Sequence, residues 1–141
     1  MVLITRKAEF SASHRLANPG WSDEKNAEVF GVESQTHGHN YVLEVTVAGD
    51  VDPVNGMIMD LKELKDLITR EIVDPWDHRH LNHEAPPFDL VIPTVENLAK
   101  ETWNRLEPAI RGDGRRLHSV RLYETADLYV DYAGPAASQA A

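Results

Sequence analysis

Two histidines separated by a single residue, His37 and His39, stand at the start of a run that alternates between apolar and polar residues. Successive side chains of a strand point to opposite faces, so both imidazoles are predicted to lie on one face. A third histidine, His14, lies near the end of another strand-like run. Imidazole is a common zinc ligand, and a catalytic zinc ion keeps three protein ligands and one open position. The pattern therefore indicates a Zn²⁺ site, with ordinary strand histidines as the alternative.

Several carboxylates and one imidazole are candidates for proton transfer or substrate binding. Glu33 lies four residues before His37, in the segment that leads to the metal, and is a candidate base; the alternative is an exposed loop carboxylate. Asp77 and His78 form a second acid/base pair if they face each other, because a carboxylate fixes the imidazole tautomer and raises its basicity. Glu124 ends a strand, where a carboxylate can accept hydrogen bonds from the N–H and NH₂ edge of a guanine or pterin ring.

The composition excludes several classes of function. The formal net charge of −9 disfavours non-specific binding to nucleic acid or anionic membranes, although it leaves room for an anionic small molecule. The absence of cysteine excludes disulfides, cysteine zinc ligands and cysteine catalysis. No apolar run approaches the roughly 20 residues of a membrane span, and the first residues read as a strand rather than a signal peptide. We therefore expect a cytoplasmic protein that binds neither nucleic acid nor membrane.

The elements that must position these side chains follow from periodicity. Residues 20–36 are polar and are predicted to form an irregular loop, and His80 and His83 are interpreted as polar loop residues. Asp60 and Thr94 have the features of helix N-caps, and each precedes a helical apolar stripe. The predicted strands cover residues 2–16, 41–48, 117–124 and 128–132, and the predicted helices cover residues 61–72 and 95–107.

The order β-β-α-α-β-β predicts an α+β fold, with a four-stranded antiparallel sheet and two helices on one face. Residues 1–134 are expected to form a single domain, and residues 135–141 a flexible tail. The exposed face and edge strands of so small a sheet need covering, so we expect an oligomer rather than a monomer.

Five segments in order resemble the 6-pyruvoyltetrahydropterin synthase / 6-carboxytetrahydropterin synthase family, over about residues 3–134. The segments are Phe10-Ser-Ala-Ser-His14-Arg-Leu16, His37-Gly-His39-Asn-Tyr41, Asp77-His78-Arg79-His80-Leu81-Asn82, Pro93-Thr-Val-Glu-Asn-Leu-Ala99 and Leu122-Tyr-Glu-Thr125.

The resemblance implies the tunnelling fold, with trimeric barrels stacked into a homohexamer, and 7,8-dihydroneopterin triphosphate as substrate. It implies that zinc on the three histidines holds the hydroxyls of the substrate side chain. It also gives roles to further residues: a proton-relay pair of Asp77 and His78, a pterin-anchoring Glu124, and a pocket between subunits lined by Thr94 and Glu96.

The chain departs from the family pattern at one position. The family's catalytic cysteine falls in the loop before the His-Gly-His motif, where this chain has Glu33. A free carboxyl has a pKa of about 4.3 against about 8.5 for a thiol, so Glu33 would need desolvation to act as a base. A branch of the family with the Glu-x-x-x-His-Gly-His pattern is associated with cleavage of the side chain to a 6-hydroxymethyl pterin for folate synthesis.

The sequence therefore predicts a zinc-dependent pterin synthase of the lyase type. Its product is a 6-substituted pterin of the 6-hydroxymethyl, 6-carboxy or 6-pyruvoyl type. The first alternative is a non-catalytic homologue that binds zinc and pterin, with Glu33 marking the loss of activity. A cupin-like metal protein also uses the His-x-His pattern, but cupins are nearly all strand and the two helical stripes disfavour one.

Overall fold

The computed structural model describes residues 1–136, so residues 137–141 of the predicted flexible tail lie outside the described part. The strands and helices in chain order are β1 (Val2–His14), α1 (Asp23–Phe30), β2 (His37–Gly49), α2 (Leu61–Ile68), α3 (Asp74–Trp76), β3 (Arg79–His80), α4 (Leu81–Glu84), α5 (Val95–Ile110), β4 (Arg115–Thr125) and β5 (Leu128–Tyr132). A 3₁₀ turn, Gly31–Ser34, follows α1, and a π-helical turn, Thr69–Val73, joins α2 to α3.

The strands form one sheet in the order β3-β1-β2-β4-β5. The four long strands pair antiparallel as expected, with β1 against β2 over their full lengths. The prediction of four strands is wrong by one, because β3 adds to the other edge of β1 and runs parallel to it. This strand has two residues and no apolar alternation. Hydrogen bonds to β1, rather than a periodic sequence, create it.

One face of the sheet carries the hydrophobic core. In β2 the side chains of Tyr41, Leu43, Val45 and Val47 are fully buried, whereas the intervening residues are polar or only partly buried. The apolar stripes of α2 and α5 pack into the same core cluster, so the prediction of two main helices on one face is confirmed. In this layer the apolar face of the sheet, which the period-2 pattern predicts, packs against the apolar stripes of the helices.

The two predicted helix caps are present. The Asp60 carboxylate accepts a hydrogen bond from Lys62 N at 2.9 Å, and the Thr94 hydroxyl accepts one from Asn97 N at 3.2 Å. Both bonds satisfy amide groups of a first helical turn that have no partner within the helix. No helix within residues 1–136 is long and apolar enough to cross a membrane.

The prediction of an irregular loop over residues 20–36 is wrong. Helix α1 occupies Asp23–Phe30 and begins at Ser22, whose hydroxyl accepts a hydrogen bond from Lys25 N at 3.1 Å. Its one buried residue is the polar Asn26, so α1 lacks the apolar stripe on which the prediction depended. The Ser22 cap and the two acidic residues that follow it are the sequence signals that could have revealed this helix.

Candidate metal centre and active site

The pairing of β1 with β2 brings the three predicted zinc ligands together. His14 lies opposite His37, and Ala12 lies opposite His39, at the end of the two-strand ladder. All three imidazoles are on the core face of the sheet, with His14 fully buried. Their ring centroids lie 4.6 Å (His14 and His37), 5.2 Å (His14 and His39) and 5.0 Å (His37 and His39) apart. The strand register alone therefore assembles the predicted cluster.

Backbone carbonyls fix the tautomers of two of these rings. The Nδ1–H of His14 donates to Pro93 O at 2.8 Å, and the Nδ1–H of His37 donates to Gln35 O at 2.7 Å. A carbonyl oxygen only accepts, so in the neutral rings each Nε2 carries a lone pair. These two Nε2 atoms lie 3.1 Å apart. Facing lone pairs repel, and a cation between them removes the repulsion, as at metal sites whose histidines are oriented by outer hydrogen bonds.

The third ring, that of His39, also has a nitrogen without a hydrogen-bond partner in residues 1–136. The Nε2 of His39 is buried and has no hydrogen-bond partner within the described residues. Its nearest charged neighbour is Glu124, whose Oε1 lies 3.7 Å away. A buried polar atom without a partner is costly, and coordination to a metal would satisfy it. The residues present therefore fit a zinc ion.

Glu33 joins the same cluster. Its Oε2 lies 2.9 Å from His37 Nε2, and one ligand atom from each of Glu33, His14, His37 and His39 lies within 4.8 Å of the others. The side chain of Glu33 is 48% exposed, whereas that of His37 is 28% exposed. Glu33 therefore lies on the solvent side of the cluster.

The buried environment favours the ligand form of His14. Burial lowers the pKa of His14 to about 4, and the hydrogen bond to Pro93 opposes that shift only in part. The ring is consequently neutral near pH 7, as a metal ligand must be. Burial also raises the pKa of Tyr41, whose hydroxyl lies 3.4 Å from His14 Nδ1 and stays protonated.

Glu124 lies beside the cluster at the end of β4, and its side chain is 16% exposed. Burial raises the pKa of this carboxyl; His39 opposes the shift, and the negative charges of Glu33 and Glu96 add to it. Glu96 and Thr94 belong to the start of α5, immediately after the Pro93 carbonyl that orients His14. The start of this helix therefore borders the same site.

Asp77 and His78, whose contact the sequence left open, do face each other, with Asp77 Oδ2 and His78 Nδ1 2.8 Å apart. Asp77 Oδ1 accepts from Ser11 N at 2.9 Å, and His78 N donates to Ser11 O at 2.6 Å. The hydrogen bond from Ser11, and then that from His78, lowers the pKa of Asp77. The His78 side chain is 83% exposed, and its backbone has a left-handed φ of 61°. Neither residue belongs to the group of ligand atoms around His37.

His80 and His83 also stay outside the ligand cluster. Their rings stack with centroids 4.3 Å apart, and His80 Nε2 lies 3.3 Å from Thr36 Oγ1. His80 and His78 line an open depression of about 440 Å³, together with Ser11, Ser13 and Asn40 on the polar face of the sheet. The sequence interpretation missed the carbonyls of Pro93 and Gln35, because no side-chain pattern marks a carbonyl that orients a ligand.

Comparison with known proteins gives a consistent family. The family model described as 6-pyruvoyl tetrahydropterin synthase matches residues 3–135. A 6-pyruvoyl tetrahydrobiopterin synthase of Pongo abelii is 41% identical over 133 residues, which is 93% of this chain and 90% of that protein. A 6-carboxy-5,6,7,8-tetrahydropterin synthase of Rickettsia conorii is 28% identical over 93% of this chain and 99% of that protein. The Caenorhabditis elegans 6-pyruvoyl tetrahydropterin synthase structure superimposes with a TM-score of 0.87 at 36% identity, over 95% and 96% of the two chains.

Proposed function

The chain belongs to the 6-pyruvoyl tetrahydropterin synthase family of pterin biosynthesis, and we propose that it is a zinc-dependent lyase acting on 7,8-dihydroneopterin triphosphate. The family membership and the expectation of a synthase-like lyase, drawn from the five sequence segments, are confirmed. The observation that carries the proposal is the convergence of three imidazoles and the Glu33 carboxylate within 4.8 Å. The reaction we favour cleaves the side chain to give a 6-hydroxymethyl pterin.

His14, His37 and His39 would hold the Zn²⁺ ion. When bound there, zinc would supply positive charge that makes a substrate hydroxyl more acidic. The carbonyls of Pro93 and Gln35 keep two of the ligands in the required tautomer. The chain supplies only histidine and carboxylate donors, since it has no cysteine.

Glu33 would act as the catalytic base. Its contact with His37 holds one carboxylate oxygen among the ligand atoms. From there Glu33 would take the proton of a substrate hydroxyl. The exposed position of Glu33 leaves the carboxylate accessible in the free protein. A substrate that covers it would exclude water, and a carboxylate without its hydration shell is a stronger base.

Glu124 would anchor the pterin ring. Its carboxylate can accept hydrogen bonds from the ring N–H and NH₂ groups, and its partial burial strengthens such bonds. Thr94 and Glu96, at the start of α5, would line the same pocket. Glu96 contributes to the raised pKa of Glu124, which fits a place near the pterin.

Asp77 and His78 would relay protons. The pair lies at the β1 edge of the sheet, outside the ligand cluster, and His78 projects into solvent. Such a position fits a pair that meets the substrate across a subunit boundary. We therefore propose the homohexamer, a dimer of trimers, as the active form, in which the edge strands β3 and β5 would be covered.

Product analysis tests the proposal. Zinc-loaded protein is incubated with 7,8-dihydroneopterin triphosphate, and the pterins are identified by mass spectrometry. A 6-hydroxymethyl product supports side-chain cleavage with Glu33 as base. A 6-pyruvoyl or 6-carboxy product keeps the lyase but contradicts the favoured product. No turnover by protein that retains zinc and pterin contradicts the proposal and favours the non-catalytic homologue.

A further inference from the structure

The segment that continues β1 beyond His14 is bonded to the turn that carries Glu33. Leu16 N donates to Glu33 O at 2.9 Å, and Arg15 Nε donates to Ser34 O at 3.0 Å. These are consecutive carbonyls at the end of the 3₁₀ turn, where carbonyls lack partners within the helix. Because Arg15 directly follows His14, the two bonds join the backbone of Glu33 to that of a proposed zinc ligand.

Asn82 holds Arg15 from the opposite side. Arg15 N donates to Asn82 Oδ1 at 2.9 Å, and Asn82 Nδ2 donates to Arg15 O at 3.0 Å. The amide thus satisfies both backbone groups of Arg15, as a neighbouring strand would. Asn82 lies in α4, which directly follows β3 and the Asp77–His78 pair. One residue therefore connects that part of the chain to the turn of Glu33.

A second asparagine repeats this arrangement three residues later. Asn18 N donates to Asn26 Oδ1 at 2.8 Å, and Asn26 Nδ2 donates to Asn18 O at 3.2 Å. Asn26 is 2% exposed and belongs to α1, the helix that leads into the 3₁₀ turn. The backbone of residues 15–18 is thus held at both ends by an asparagine side chain.

Apolar packing contributes little to holding this turn. Val32 is 80% exposed and Glu33 is also exposed, and the one buried residue of the turn is the polar Ser34. The Ser34 hydroxyl donates to Gly31 O at 2.7 Å, within the turn itself. The bonds from Arg15 and Leu16 are consequently among the contacts that fix the turn relative to β1.

We propose that Arg15 and Asn82 are positioning residues that set the Glu33 carboxylate against the metal ligands. The inference rests on the proposed role of Glu33 as base. A displacement of about 1 Å in a reacting group can cost about 100-fold in rate, so a loose turn would impair catalysis without abolishing metal binding. Neither residue touches the substrate; both act through the turn that carries Glu33.

Two variants test the inference. Arg15→Met removes the guanidinium donors while keeping an unbranched apolar stem, and Asn82→Asp replaces the donor to Arg15 O by an oxygen. Matched controls are Arg111→Met, whose guanidinium pairs with Glu107 at the end of α5, and Asn104→Asp on the exposed side of that helix. The measurements are kcat and KM for 7,8-dihydroneopterin triphosphate, zinc content, and amide hydrogen exchange of residues 31–36.

We expect kcat to fall by about tenfold or more in Arg15→Met and in Asn82→Asp, with zinc content and KM nearly unchanged. Exchange in residues 31–36 should become faster, while the controls behave like the unmodified protein. In a Glu33→Gln background the same substitutions should lower the residual kcat by less than about twofold, because they act through Glu33.

Three results would overturn the inference. One is an unchanged kcat in both variants while Glu33→Gln abolishes turnover. Another is an equal loss of kcat with and without Glu33, which indicates a general structural role. The third is unchanged exchange in residues 31–36. If Glu33→Gln alone leaves turnover intact, the proposed role of Glu33 as base is wrong, and the positioning inference is wrong with it. The single Glu33→Gln variant therefore distinguishes failure of the proposed base from failure of the positioning inference.

Discussion

His14 of the histidine cluster and His78 of the Asp77–His78 pair lie at opposite extremes of burial. The cluster rests on the ladder between two long strands, and its first ligand, His14, is fully buried. The pair immediately precedes β3, the two-residue strand at the sheet edge, and the His78 side chain is 83% exposed. A metal ion needs fixed, neutral ligands, and the three histidines of a single chain can provide them here. A proton relay can be completed by another surface, and the edge position of the pair fits that role.

Removal of a ligand should have the largest effect. We expect His39→Ala to lose most of its zinc and to lower kcat on the order of 1,000-fold, because the metal supplies the charge that activates the substrate hydroxyl. Metal analysis and initial rates check this, with His118→Ala on β4 as the control. Chelation of the unmodified protein should abolish turnover, and added Zn²⁺ should restore it. A fully active chelated protein would contradict the zinc site.

Loss of the relay pair should be the next largest effect. His78→Ala is expected to lower kcat by about 100-fold, the lower end of general acid–base contributions, without loss of zinc. Steady-state rates and zinc content are measured together. An unchanged kcat would remove the pair from the mechanism.

Mixed oligomers show whether the Asp77–His78 pair serves the site of its own chain or that of a neighbouring subunit. Chains with Glu33→Gln and chains with His78→Ala are unfolded, mixed and reassembled. If the pair serves the site of a neighbouring subunit, the mixture regains activity that neither variant has alone. If both groups serve the site of their own chain, the mixture stays as inactive as its parts, and the proposed subunit boundary is wrong.

Acid should destabilise the metal-free protein through His14. Its pKa falls from 6.5 in the unfolded chain to about 4 in the folded chain, so between these values the unfolded state binds more protons. The free energy of unfolding should therefore decrease as the pH falls from about 6.5 to about 4, by about 3 kcal/mol from this group. Urea unfolding with a chelator present measures it. A His14→Gln variant with the same pH dependence would contradict the assignment.

The smallest effect concerns the backbone of His78. Its φ of 61° is unfavourable for a side chain with a Cβ atom, and glycine adopts it freely. We expect the free energy of unfolding of His78→Gly to equal that of the unmodified protein or to exceed it by up to about 1 kcal/mol. Urea unfolding measures this. The matched substitution His118→Gly, within β4, should destabilise the protein. Clear destabilisation of His78→Gly would show that its imidazole stabilises the fold.

Strand alternation and helix caps were sufficient to predict much of this molecule. The period-2 pattern places His37 and His39 on one face, and in the structure both lie on the core face of β2. Asp60 and Thr94 cap their helices as expected. These features depend on neighbours within a few residues, or on a long, regular pairing register, and a sequence displays both.

The missed features depend on contacts between distant residues. The strand β3 forms because Asp77 and His78 bind both backbone groups of Ser11, which lies 66 residues before Asp77. Arg15 and Asn82 stand within the family-like segments, yet their bonds to each other and to Ser34 join three separate parts of the chain. No local pattern encodes such pairs, so only the folded chain reveals them.

We propose that Glu33 supplies the base beside a histidine-bound zinc ion. To test this, kcat for 7,8-dihydroneopterin triphosphate is compared between the unmodified protein and Glu33→Gln at equal, measured zinc content. Glu28→Gln, on the exposed side of α1, is the control. We expect Glu33→Gln to keep its zinc and to lose at least about 100-fold in kcat, while Glu28→Gln keeps full activity. Equal rates for all three proteins would contradict it.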